Sequence, residues 1–109
     1  MTQNEIKDLI RSTAAEYGFE TEDVRYSALP QIKKGRDAYI NITINDSWEG
    51  FNFETKQSTR RATVTSCVCQ MGGNPTPEEL IAAADQIRRG AELTAKLQGM
   101  DLTYTEKIQ

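Results

Sequence analysis

From Ala38 to Asn45 the chain reads Ala-Tyr-Ile-Asn-Ile-Thr-Ile-Asn, with small or aliphatic side chains at every even position. Successive side chains of an extended strand point to opposite faces, so this pattern makes one apolar and one polar surface. Such a strand cannot stand alone. It needs neighbours for its backbone hydrogen bonds and a second layer over its apolar face.

Two helices are available as that layer. Thr2 and Glu5 form an S/T-x-x-E capping box, and Ile6, Leu9, Ile10, Thr13, Ala14 and Tyr17 then recur at helical spacing. Gly18 falls where a left-handed cap belongs. A second box, Thr76-Pro77-Glu78-Glu79, opens a helix whose expected buried face is Leu80, Ala83, Ala84, Ile87 and Ala91. Leu93 and Leu97 lie to one side of that stripe, so a bend at Gly90 is expected, or a second half that faces something other than the sheet.

Between the helices, Val24, Tyr26 and Ala28 suggest an extended segment that ends at Pro30. Asp46-Ser47-Trp48-Glu49-Gly50 has the composition of a five-residue hairpin loop, with Phe51, Phe53 and Thr55 as the inward face of the next strand. After a turn near Gln57 to Thr59, Arg61 to Met71 read as a long β-branched strand, and the tail from Asp101 to Gln109 offers a short edge strand. Connections this short force antiparallel pairing. The expectation is one α+β domain over residues 1–109: two layers, a sheet of three to four antiparallel strands, and both helices on one face, in the order α-β-β-β-(β)-α. The polar face around Tyr39, Asn41 and Thr43 is left open.

Catalytic chemistry finds little to work with. The 109 residues contain no histidine, which removes Ser/His/Asp and Cys/His nucleophile systems and His-ligated metals. Phosphate-binding loops of the Gly-x-x-x-x-Gly-Lys or Gly-x-Gly-x-x-Gly kind are absent, and Gly72-Gly73 leads into an acidic helix start. Cys67 and Cys69 have strand spacing, ill suited to a mutual disulfide, and are expected as buried or half-buried thiols. No cofactor or metal is expected, and a non-enzymatic role is.

The charge totals −3 but is unevenly spread: −3 over residues 1–29, +2 over 30–75 and −2 over 76–109. Lys33, Lys34 and Arg36 with Arg60 and Arg61 would form a basic patch if loops at one end of the sheet converge. Glu20, Glu22 and Asp23, and Glu78, Glu79 and Asp85, are candidate contacts for a basic partner surface. Trp48, the only tryptophan, is either a lid on the core or an exposed anchor. No apolar run reaches the roughly 18–20 residues of a membrane span, and the first residues lack a secretion signal, so a cytoplasmic protein is expected.

The helix–strands–helix order is similar to that of double-stranded-RNA-binding domains. That resemblance implies RNA contacts from a hairpin loop and from the start of the second helix. The Lys33–Arg36 loop matches the pattern, and the Glu78-Glu79 helix start departs from it. The leading expectation is a protein-binding module: an inhibitor or regulatory adaptor of a larger protein, for example a nucleic-acid-processing enzyme. Phage or mobile-element inhibitors of host nucleases, such as anti-CRISPR proteins, are one class of this kind. The alternatives are a nucleic-acid-binding domain and a homo-oligomer built on the open sheet face or the Leu93/Leu97 strip.

Overall fold

A computed structural model describes residues 1–107. The elements run α1 (Gln3–Glu16), β1 (Thr21–Glu22), β2 (Gln31–Ile32), β3 (Ile40–Asn52), β4 (Gln57–Val68), α2 (Pro77–Gln98) and β5 (Thr103–Lys107). Every strand pair is antiparallel. β3, β4 and β5 form one sheet in that order, and β1 with β2 forms a separate two-stranded ribbon. The α+β class and the order of elements are as expected.

The first capping box is complete. Thr2 Oγ1 accepts from Glu5 N at 3.2 Å, and the Glu5 carboxylate accepts from Thr2 N at 3.4 Å. Gly18 ends the helix region at φ 79°, where Arg89 Nη1 donates to the Tyr17 carbonyl at 2.7 Å and ties α1 to α2. A Cβ on Gly18 would lie 2.8 Å from that same nitrogen.

The predicted alternation holds along β3: Ile40, Ile42 and Ile44 are buried, while Asn45 and Ser47 are exposed. Across the sheet, Ile44 opposes Val64 and Asp46 opposes Ala62. Ile6, Ile10 and Ala14 of α1 and Leu93 and Leu97 of α2 join these residues and Tyr104 in one core. Both helices thus cover a single face of the sheet. The other face, with Thr63, Thr65 and Cys67 exposed, carries no layer among the described residues.

Several local expectations fail. No strand forms over Val24 to Ala28; the pairing residues are Thr21–Glu22 and Gln31–Ile32. The supposed hairpin loop from Asp46 to Gly50 is strand, interrupted only by a register shift between Trp48 and Gly50 that leaves Glu49 as an extra residue. The turn lies at Phe53 to Lys56 instead. There the Asn52 side chain accepts from Glu54 N (2.9 Å) and Thr55 N (3.2 Å), and Lys56 sits at φ 56°. The expected third strand is therefore the end of β3, and Phe53, 84% exposed, points to solvent.

α2 is continuous through Gly90, and its buried side is Ala83, Gly90, Leu93, Thr94 and Leu97. Of the expected stripe, Ala83 is buried and Ile87 half-buried against the core, while Leu80, Ala84 and Ala91 are exposed, so the face is rotated from the expected one. Gly90 is there for close approach: a Cβ would meet Ile40 Cγ2 at 2.7 Å and Cδ1 at 2.9 Å. Cys67 is exposed and Cys69 intermediate, so only Cys69 fits the expected partial burial. Of the tail, β5 is the anticipated edge strand, and residues 108–109 lie outside the described ones.

Candidate functional site

The molecule measures 60 × 22 × 18 Å and is elongated along one axis. Its candidate surfaces separate along that long axis.

At the hairpin end, Trp48 is 61% exposed. The bulge at Glu49 changes the alternation, so Trp48 opposes Arg60 while Phe51 opposes Ser58, and both aromatic positions fall on one face. The Phe51 and Phe53 rings meet edge to face with centroids 4.9 Å apart. Trp48, Phe51 and Phe53 therefore lie along one hairpin, and the reading of Trp48 as an exposed residue is the correct one.

Behind this end lies a polar lock. Asp46 Oδ2 accepts from Tyr104 Oη at 2.7 Å and from Arg60 Nε at 3.0 Å, linking all three strands of the sheet. Burial pushes the Asp46 carboxyl up, and the hydrogen bonds from Tyr104 and Arg60 outweigh this and leave it below its ordinary value. Burial first, and then the bond to Asp46, hold the Tyr104 phenol well above its usual range. Arg60 is raised chiefly by its bond to Asp46. Sequence reasoning missed Asp46 and Tyr104; the only signal was an acid inside an otherwise alternating run.

The basic residues do not converge. Lys33, Lys34 and Arg36 follow β2 beside the start of β3, whereas Arg60 and Arg61 pair with Trp48 and Ser47, roughly 20 Å further along the strand. Arg60 is in addition committed to Asp46. Glu20 instead joins the basic loop, pairing with Lys33 at 3.5 Å. Asp23 pairs with Arg11 at 2.9 Å, and Glu22 is exposed on β1. Glu78 and Glu79 occupy the first turn of α2, while Asp85 is bridged by Arg88 (3.1 Å) and Arg89 (2.9 Å). The two acidic groups thus lie on different elements and form no common patch with Trp48.

The basic loop instead borders a cleft of about 450 Å³, formed with Phe19, Ile32, Ile40, Ile42 and Arg89. Side chains support the adjoining free edge of β3. Gln31 bonds Ile44 through both its amide atoms (2.8 and 3.4 Å), and Gln86 Oε1 accepts from Tyr39 N and Ile40 N.

Among the described residues, no three His, Cys, Asp or Glu side chains are grouped to hold a metal ion. No helix of the described residues is long and apolar enough to cross a membrane. No family model, curated protein or solved structure matches the chain.

Proposed function

We propose that the chain is a non-enzymatic protein-binding module that docks through its aromatic hairpin. The observation that carries this reading is the exposure of Trp48 and Phe53, at 61% and 84%, on the turn half of the β3–β4 hairpin. Large aromatic side chains left in water on a rigid scaffold are the anchors that dominate interface energies once they fill a partner's pocket. Asp46, Arg60 and Tyr104 hold the hairpin as a fixed platform and limit the entropy lost on docking.

The narrower form of the proposal is an inhibitor or regulatory adaptor of a larger protein, with anti-CRISPR inhibitors as one such class. Small size, a net charge of −3 and the absence of histidine support it. The nucleic-acid reading loses ground because its basic residues are split between the two ends of β3. A homo-oligomer through Leu93 and Leu97 loses support, since both are fully buried in the core. The open sheet face remains as the oligomer alternative.

The test compares immobilised wild-type protein with Trp48→Ala/Phe53→Ala in retaining proteins from lysate of the source cells. A protein held by wild type and lost by the variant is the expected result. The same retained set for both, or chaperones alone, overturns the proposal.

A further inference from the structure

We infer that the cleft between the β2–β3 loop and α2 is a second docking site, and that it takes a short acidic peptide segment with one apolar side chain. The inference rests on the reading of the chain as a protein-binding module, but on residues at the other end of the molecule.

The size comes first. A cavity of about 450 Å³ suits one or two side chains of a ligand and lies within the usual range for small-ligand clefts. Half-buried Phe19, backed by the buried Ile32, Ile40 and Ile42, supplies the apolar lining, which calls for an apolar group. The charge comes next. Lys33, Lys34, Arg36 and Arg89 against Glu20 and Asp37 make the lining +2, four cations less two acids, in a chain of net −3. Lys34 and Arg36 form no ion pair among the described residues. Both are exposed, free to close on a carboxylate, and the surrounding negative chain leaves this as a local positive field.

The neighbourhood selects against nucleic acid. The groove next to the cleft is lined by Asp37, Glu79 and Asp85 against Arg89, a net −2 from three acids less one cation, so a phosphodiester strand leaving the cleft on that side would meet a negative surface. A short peptide, with separated charges around one apolar residue, meets no such barrier.

Fluorescence anisotropy tests this on the intact chain. The probe is a labelled pentapeptide of one leucine flanked by two glutamates and two glycines. A lysine-for-glutamate version and a labelled single-stranded pentanucleotide serve as competing ligands. The glutamate peptide is expected to bind best, to weaken with added salt, and to lose about tenfold in affinity with Lys34→Glu/Arg36→Glu. Trp48→Ala should leave its binding unchanged, which separates this site from the hairpin. Circular dichroism confirms that the charge-reversal variant is folded, as two exposed positions allow. No binding of the glutamate peptide, equal binding of the lysine peptide, tighter binding of the pentanucleotide, indifference to the charge reversal, or loss with Trp48→Ala overturns the inference.

Discussion

The Tyr104 hydroxyl donates a 2.7 Å hydrogen bond to Oδ2 of Asp46, from the last strand of the chain to the first strand of the main sheet. β3 and β5 are not neighbours; β4 lies between them, and its Arg60 reaches the same oxygen. One carboxylate oxygen thus joins three strands near the margin of the core.

This lock predicts a two-sided pH dependence. A carboxyl held below its ordinary value stabilises the fold above about pH 4, and the contribution fades as pH falls through the folded-state value. A phenol held above its ordinary value stabilises below about pH 10, and that contribution fades as pH rises. Asp46→Asn should cost about 2 kcal/mol at neutral pH, with the gap from wild type narrowing below pH 4 in urea titrations. Tyr104→Phe should cost about 1 kcal/mol and flatten the alkaline limb. An acid limb that is the same in Asp46→Asn and wild type would refute the assignment.

Gly90→Ala should destabilise by about 1–3 kcal/mol, although alanine is the better helix former by about 1 kcal/mol. The reason is overpacking, since the added methyl would lie inside contact distance of Ile40. Shortening the neighbour should reverse the sign: in an Ile40→Ala background, Gly90→Ala should be neutral or stabilising. Thermal denaturation of the four-member cycle measures that coupling. Additive effects would show that the contact is not the cause.

Trp48 is the sole tryptophan, so its emission reports one site. Free protein should show the red-shifted maximum of an indole in water, with efficient quenching by acrylamide. Trp48→Ala should change stability by no more than about 0.5 kcal/mol, as expected for an exposed position outside the core. A blue-shifted, unquenchable emission would place the ring against the protein and remove the anchor.

The two thiols should differ. Cys67, exposed on the uncovered sheet face, should react with Ellman's reagent in the native state well ahead of Cys69, which is half-covered just beyond the strand. Mass spectrometry of partially labelled protein reads the order, and preferential labelling of Cys69 would contradict the exposure.

Sequence reasoning succeeded where a signal is both local and redundant. Thr2 with Glu5, and the Ile40-Ile42-Ile44 run, each declare an element several times over. It failed at Asp46 to Gly50, whose residues favour turns, because strand pairing there is set by partners far along the chain. The Ile44–Val64 and Asp46–Ala62 pairings carry β3 onward, and a bulge absorbs the mismatch. The phase of α2 was lost for another reason. Ala83, Ala84 and Ala91 have side chains too small to declare a face, and Gly90 is buried by what it lacks. Of the candidate surfaces, Trp48 was legible as a lone aromatic and Lys33 to Arg36 as a charge run. The separation of Arg60 from that loop was not, because it depends on register.

The first and last elements of the described residues are stitched together. Thr105 N donates to the Met1 carbonyl at 3.0 Å, Thr2 bridges Thr105 in parallel fashion, and α1 packs on β5. Thr2 and Thr105 are far apart in sequence, so this contact closes a long loop. Loops of that length are slow to close, so the α1–β5 contact should form late when the unfolded chain refolds. Until it forms, part of the apolar stripe of α1 and the outer edge of β4 stay open to solvent, and refolding at high protein concentration should favour aggregation.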